Sequence, residues 1–502
     1  MAWPDREKKP AASGLGQPAR AQVWVAGVLL SHFGSSHDDV QPERKQHDPP
    51  RPQTTSARYP WASARHSPPA ESHHGLLCRF LPGEGVPRTG IHRVGRRTPG
   101  RACATQRAGY SAGMDGNRAP RSGTSRPRVL LVSASVGEGH NAAAQALAEA
   151  LRRAAPGCLV TEVAPMSDHA QAVTRRWYRL AVQVAPPLHQ LWYWAVAHCR
   201  WVRWFYRAVA GARAGRALAR QLAAARPDVT VSTYPLGTAG LAWLRRRGLT
   251  QVPVVAVLSD FAPHPFWVYP GVSRYAVLDE AGRDRMRTLA PGVPTEVCAP
   301  LVRPTFRPPS ARETRSARER HGVPEDALSV LISCGSLGLG EVGPAVRAVL
   351  SAGPKVHAIV VCGRNQRLRS RLRRRFPDRR LRVLGWVDDM AELMAAVDVV
   401  VNNAGGVTAA EALARGRALV LFRPVAGHGR DCARAMAEAG LVETGTRRRW
   451  LTGLLNQWVA HPELVRAAQR RAARHAGRHR LAETASSILA EADPAMPQRA
   501  AS

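Results

Sequence analysis

Residues 397–412, Val-Asp-Val-Val-Val-Asn-Asn-Ala-Gly-Gly-Val-Thr-Ala-Ala-Glu-Ala, are the stretch from which the fold can be read. The β-branched run Val399, Val400 and Val401 predicts a short strand buried on both faces. Gly405 and Gly406 predict a tight turn, and Thr408 opens an alanine-rich segment that is expected to be helical through Ala414. A strand, a glycine turn and a helix N-terminus in succession form an anion site. Glycines let the backbone approach a phosphate, and the free N–H groups of the first helical turn point at it. Glu411 lies about one turn further on, where a carboxylate can accept hydrogen bonds from vicinal hydroxyls such as those of a ribose. The same residues fit an ordinary turn with a Thr408–Glu411 capping box, and the stretch alone leaves both readings open.

On both sides of this stretch the same alternation of strand and helix recurs. A strand over 330–333 runs into Gly335-Ser336-Leu-Gly338-Leu-Gly340, and further strands are expected over 357–361, 381–384 and 418–422. An earlier series opens at Arg128, with a strand over 129–132, a glycine-rich turn ending in His140 and a helix over about 141–154. The turn lacks the full dinucleotide fingerprint, which disfavours NAD. His140 would sit at a helix N-terminus, where the dipole favours neutral imidazole. That suits a general base, and it suits a capping histidine as well. Strands over 159–163, 229–232, 254–258, 275–278 and 295–298 complete this series. Asp260 closes one of them, facing the crevice where open α/β sheets bind ligands. Pro300, Pro304, Pro308 and Pro309 mark a domain boundary. The expected divisions are an extension over 1–125, domains over 126–305 and 306–445, and closing helices and tail over 446–502, with a long Arg/Ala-rich helical tail over about 463–491.

Residues 174–225 differ in character. Five of the 13 tryptophans fall here, crowded with tyrosines and arginines. Trp201, Trp204 and Phe205 are spaced for one helical face, beside Arg200, Arg203 and Arg207. This composition suits a membrane-interface helix. It also suits a core helix pair with a basic outer face, or single-stranded nucleic acid.

The 502-residue chain carries a net charge of +35 and a pI near 11.4, which implies an anionic partner, although its arginine and alanine richness also suits a GC-rich genome. Its eight cysteines show no zinc-type spacing, and no apolar run is long enough to span a bilayer. Residues 1–125 are rich in Pro, Arg, Ser, His and Gly and are expected to be disordered. Met114 offers an alternative start, just before the first expected strand.

Ser135-Val-Gly-Glu-Gly-His140-Asn-Ala-Ala, Ser259-Asp260 with His264 and Trp267, Pro300-Leu-Val-Arg-Pro304, Gly385-Trp386-Val387, and Gly405-Gly406-Val-Thr408 with Glu411 occur in that order. Together they resemble the monogalactosyldiacylglycerol synthase family and its bacterial relatives, the diacylglycerol glucosyltransferases, over about 128–445. The resemblance implies an α/β GT-B architecture, two Rossmann-like domains facing a cleft. It implies an inverting hexosyltransferase that moves a sugar from a UDP-sugar to a lipid acceptor, with diacylglycerol the expected one and no tightly bound cofactor or metal. His140 and Asp260 would be catalytic. Gly335, Ser336, Gly338, Gly405, Gly406 and Thr408 would line the diphosphate, Gly385, Trp386 and Val387 would meet the uracil, and Glu411 the ribose. Trp192, Trp194, Arg200, Trp201, Arg203, Trp204, Phe205 and Arg207 would form the acceptor and membrane region of a peripheral enzyme on the cytoplasmic face. Two departures stand out. Asn403-Ala404 replaces the plant family's Lys-Pro, and Gly427-His428-Gly-Arg430-Asp-Cys432 replaces its sugar-binding Gly-Gln-Glu-x-x-Asn loop. Arg430 could restore the missing charge. Rival readings are a soluble transferase acting on a small natural product, a sugar-nucleotide epimerase, and a basic nucleic-acid-binding protein.

Overall fold

The computed structural model describes residues 126–134, 138–333, 335, 336, 338 and 340–492. The extension over 1–125, the start at Met114, and Ser135 to Gly137 of the first glycine turn lie outside these residues.

Two six-stranded sheets form, and every strand pair in them is parallel. The first holds β1 (Arg128–Val132), β2 (Leu159–Val163), β3 (Val229–Ser232), β4 (Val254–Val257), β5 (Arg274–Val277) and β6 (Thr295–Val297), in the order β2-β1-β3-β4-β5-β6. The second holds β7 (Leu328–Ser333), β8 (Val356–Val361), β9 (Leu381–Leu384), β10 (Val399–Asn402), β11 (Ala418–Phe422) and β12 (Glu443–Gly445), in the order β12-β11-β10-β7-β8-β9. Helices cover both faces, which is why the central strands read as unbroken apolar runs rather than alternating ones. Strand order reverses between β1 and β3 and again between β7 and β10. At such a switch point the connections leave toward opposite faces and open a crevice at the carboxyl ends of the strands. The two glycine-rich turns and the 397–412 stretch all fall at these points. This is the GT-B architecture.

The helix after β10 runs Val407–Ala414 with Gly406 at its N-cap, and no side chain caps it. The Thr408–Glu411 capping box therefore does not form, and Glu411 is left to line the cleft. The paired glycines have different duties. A Cβ at Gly405 would come within 2.6 Å of Cys432 Cβ, whereas one at Gly406 would meet open space. Gly405 is the packing glycine, letting helix His428–Glu438 close against the turn. Gly405→Ala should cost about 1–3 kcal/mol in a denaturant melt through overpacking, with Gly406→Ala within about 1 kcal/mol of the parent. Equal losses in the two variants would contradict this division.

Asp398 fixes the strand that carries the turn. Its Oδ2 accepts from Ser329 N at 2.9 Å, Ser329 Oγ at 2.7 Å and Arg318 Nη1 at 3.2 Å. Arg318 also donates to the carbonyls of Pro324 and Ala327, so both of its Nη atoms are buried with partners. This network ties β10 to β7, the two strands that flank the second switch point.

The aromatic segment resolves into three helices, Asp168–Val184, Pro186–His198 and Arg200–Ala225. Core and surface readings divide it between them. Tyr193, Val196, Tyr206, Ala210 and Leu218 are buried, whereas Trp177, Leu180, Val184, Leu188, Leu191, Trp194, Trp201, Trp204 and Phe205 are exposed. The helical tail expected over 463–491 consists of two helices. Helix Pro462–Ala476 stops before Gly477, and a separate helix, Leu481–Ala490, follows. This last helix returns to the first sheet, where Arg274 bridges Glu491 and Glu296 at 2.6 and 3.0 Å and Thr484 Oγ1 accepts from Ala299 N. The Gly-Arg-His-Arg joint at 477–480 separates them inside an Arg/Ala-rich run.

Candidate active site

The carboxyl ends of both sheets face one cleft of about 640 Å³. His140 lies in the first turn of helix Glu138–Ala154. Its Nδ1 is 2.9 Å from the carbonyl oxygen of Thr233, just beyond β3. A carbonyl can only accept, so Nδ1 carries the proton and Nε2 keeps its lone pair. Tyr234 packs edge-on to the ring at 5.0 Å. Burial lowers the pKa of His140, and the field of Asp260 and the Thr233 bond oppose this only in part. The imidazole is thus neutral near pH 7, with one basic nitrogen.

Asp260 is buried just past β4. Burial alone would raise its pKa, but the bond from His264 and the fields of His428, His264 and His140 reverse this and hold it well below the carboxylate range. Its Oδ2 accepts from Trp267 Nε1 at 2.9 Å and lies 3.4 Å from His264 Nε2. Among the described residues it makes no hydrogen bond to His140. Asp260 therefore acts on His140 through its field rather than as a directly bonded partner. Three imidazoles, of His140, His264 and His428, surround this one carboxylate, and burial also lowers the pKa of His428.

On the side of the second sheet, Gly335, Ser336, Trp386, Val387, Gly406, Thr408, Glu411 and His428 line the cleft. Gly338, Gly385 and Gly405, expected there too, are not among the lining residues. Gly338 takes a positive φ of 58° and packs against the Cys362 carbonyl instead. Arg430 is exposed and lies outside the lining, because it sits on the outer side of the first turn of helix His428–Glu438. Arg303 is the one Lys or Arg among the described residues that line the cleft. In the sequence it is part of the Pro300–Pro304 motif, where nothing marks it as a cleft residue. Glu411 is pushed up to about 7 by burial, which outweighs the nearby Arg303. In the Asn403-Ala404 departure, Asn402 Oδ1 accepts from the Asn403 and Ala404 amides, which shapes the entry to Gly405. Of the Asp388-Asp389 pair, only Asp389 caps a helix, and Asp388 accepts from Trp386 Nε1 at 2.8 Å.

Contacts cross the cleft. Arg364 stacks 4.4 Å over the Trp386 ring and pairs with Glu138, in the same helical turn as His140, at 3.0 Å. Gln190 accepts from Gly427 N at 2.8 Å, and the Tyr193 hydroxyl donates to Asp431 at 2.8 Å. The replaced loop 427–432 thus docks on helix Pro186–His198. That helix and its two neighbours, Asp168–Val184 and Arg200–Ala225, supply an aromatic wall of Tyr178, Trp192, Tyr193 and Tyr206, joined by Phe266. Trp192 belongs to this wall and not to the outer face where Trp194, Trp201, Trp204 and Phe205 are exposed. Arg203 caps the preceding helix through the carbonyls of Val196 and Ala197, and Arg207 stacks on Tyr269.

The family model described as monogalactosyldiacylglycerol (MGDG) synthase matches residues 140–300, the part of the first domain that holds His140 and Asp260. The chain is 27% identical over 316 residues to a processive diacylglycerol beta-glucosyltransferase of Bacillus cereus, covering 60% of this chain and 77% of that one. A protein of the same name from Bacillus thuringiensis is 27% identical over 317 residues, with the same coverage. Among solved structures, the spinosyn rhamnosyltransferase SpnG aligns with a TM-score of 0.49 at 17% identity, over 72% of this chain and 99% of that one. MurG of Acinetobacter baumannii aligns with a TM-score of 0.46 at 16% identity, over 72% and 99%. With its ordered motifs gathered on one cleft, the chain is similar to the monogalactosyldiacylglycerol synthases and diacylglycerol glucosyltransferases, and is a glycosyltransferase of GT-B type.

Proposed function

We propose that this protein is an inverting transferase that moves a hexose from a UDP-sugar to the free hydroxyl of diacylglycerol or a related lipid at a membrane surface. The observation that carries the reading is His140, a neutral imidazole whose proton is pinned on Nδ1, at the junction of an aromatic wall and a glycine-rich anion site. The acceptor hydroxyl attacks the anomeric carbon while Nε2 takes its proton. The bond to UDP breaks on the opposite face, which inverts the configuration. Amides around Gly406 and the first turn of Val407–Ala414, with Arg303, would stabilise the charge on the departing diphosphate. Glu411 would hold the ribose, and Trp386 and Val387 would flank the base. The aromatic wall would receive the lipid glycerol end, and Asp260 would stabilise the imidazolium that forms. No cofactor enters this scheme.

The test is incubation of purified protein with vesicles containing diacylglycerol and a panel of labelled UDP-sugars, followed by identification of labelled lipid. Sugar isomerisation without acceptor would favour an epimerase and overturn the proposal, as would transfer confined to water-soluble acceptors.

The exposed aromatic face supports the membrane side of the reading. Trp201 and Trp204 are 84% and 64% exposed, and no helix among the described residues is long and apolar enough to cross a bilayer. The double change Trp201→Ala and Trp204→Ala should weaken vesicle binding roughly tenfold at high salt, where apolar insertion persists and charge attraction is screened. Circular dichroism should remain that of the parent, since neither ring is in the core. Flotation of the double variant at the parent's level in high salt would refute this assignment.

A further inference from the structure

Helix Pro186–His198 meets the start of helix His428–Glu438 at two points. Gln190 accepts from Gly427 N at 2.8 Å, and the Tyr193 hydroxyl donates to Asp431 Oδ2 at 2.8 Å. Gln190 and Tyr193 stand three residues apart, and Gly427 and Asp431 four apart, so each pair lies on one side of its helix. Arg285 approaches the same carboxylate oxygen, but at 3.8 Å and half-exposed it contributes little. The Tyr193 ring is buried and stacked on Phe266 at 5.8 Å. Burial pushes the pKa of its hydroxyl up, and Asp431 adds to this, so the proton stays on the oxygen and is donated. A hydrogen bond to a carboxylate is stronger than one between neutral groups.

A helix turns by about 100° per residue, so attachment at 427 and 431 fixes the rotation of the whole first turn. With that rotation His428 lines the cleft, and Arg430 is exposed on the outer side. The His428 ring lies 5.8 Å from that of His264 and feels the fields of Asp260, His264 and His140. It borders the same part of the cleft as the proposed base, where the transferred sugar must lie for its anomeric carbon to be attacked. We propose that Tyr193 and Asp431 are positioning residues for the transferred sugar, because their bond sets the helix rotation that turns His428 toward it. This assignment rests on the sugar-transfer reading of the cleft and deepens it. Tyr193 also belongs to the wall that would receive the acceptor, so the sites of the two substrates share one fixed part.

Calorimetry on the full chain without acceptor compares UDP with each UDP-sugar of the panel. Tyr193→Phe removes only a hydroxyl and keeps the ring, and Asp431→Ala removes its partner. Each should weaken UDP-sugar binding roughly tenfold, the worth of one bond to a charged group, and leave UDP within about twofold of the parent. The double variant should lose no more than either single one, because the same bond is missing in all three. Asp431→Asn, whose amide oxygen still accepts, should stand between the parent and Asp431→Ala. His428→Ala should show the same sugar-selective loss, and adding Tyr193→Phe to it should cost nothing further. Equal weakening of UDP and UDP-sugar would make the pair a general structural contact. A full Tyr193→Phe loss in the His428→Ala background would show that His428 is not the group being positioned. A Tyr193→Phe effect confined to acceptor KM would make the hydroxyl an acceptor contact. Any of these three results overturns the proposal. A parent that binds no UDP-sugar would instead count against the proposed reaction. Thermal melts read the contact independently of any nucleotide. The two single variants and the double should fall by the same amount, and additive falls would show that no such bond exists.

Discussion

Changing His140 to alanine should slow sugar transfer roughly a hundredfold or more while leaving UDP affinity close to that of the parent. The side chain is anchored from the first domain by Thr233, so its loss removes a base without touching the second-domain groups proposed to hold the nucleotide. The pH profile distinguishes a base from a merely structural histidine. In the proposed reaction transfer requires neutral imidazole, and burial lowers its pKa from the ordinary value of 6.5. At saturating donor, kcat should therefore be flat near neutrality and fall only below about pH 6.5. In the alanine variant the residual rate should lose that acid limb. His140→Gln separates the effects further, because glutamine can still bond Thr233 but cannot take a proton at neutral pH. A glutamine variant with parental turnover would eliminate His140 as the base and leave it as a residue that ties the helix Glu138–Ala154 to β3.

The order of elements was legible from apolar runs and glycine turns because a parallel sheet buried on both faces leaves a strong signal. Val399 to Asn402 reads the same in sequence and structure. Glu411 was legible as a cleft residue, but the rival capping box could be discarded only when the backbone showed helix initiation at Gly406. What sequence spacing could not show was which groups meet across the chain. Arg303 enters the cleft from the connection between the sheets, and Tyr193 reaches Asp431 from a residue 238 positions away. Nothing local distinguishes such residues from solvated or core ones. Arg430 misled for the converse reason. It has the right charge beside the right helix, but side-chain direction within the first turn decides whether a cation faces the cleft, and three to four residues per turn make that sensitive to a shift of one position. The aromatic segment was ambiguous because it is two things at once, a buried wall around Trp192 and Tyr206 and an exposed face around Trp201 and Trp204.

Glu411 supplies the second large effect. Its carboxylate is mostly buried in the cleft, and burial raises its pKa to about 7 despite Arg303. A ribose presents hydroxyl donors, and a carboxylate accepts from both while a protonated acid accepts less well and competes as a donor. Donor binding should therefore select the ionised form. Below the pKa, binding must first remove a proton, so apparent affinity falls by up to tenfold per pH unit. Between pH 8 and pH 6 the donor KM should rise roughly tenfold, with the midpoint near 7 where Glu411 titrates. Stability should respond with the opposite sense to binding. A carboxylate whose folded pKa is raised costs stability once the unfolded chain ionises, so the fold loses stability as pH rises from about 4.5 toward 7 and then levels off. Glu411→Gln keeps the shape, removes the titration, and should make both dependences flatter. Glu411→Ala removes the acceptor altogether. Hydrogen bonds to a charged group are worth about 1.5–3 kcal/mol, so its donor KM should rise roughly ten- to hundredfold at pH 8, with kcat much less affected. The Gln variant should also be slightly more stable than the parent above pH 7, because it no longer buries a charge. If UDP calorimetry gives the same affinity for parent, Gln and Ala proteins at pH 8, and no pH dependence in the parent, Glu411 does not hold the ribose and the nucleotide must be seated elsewhere in the cleft.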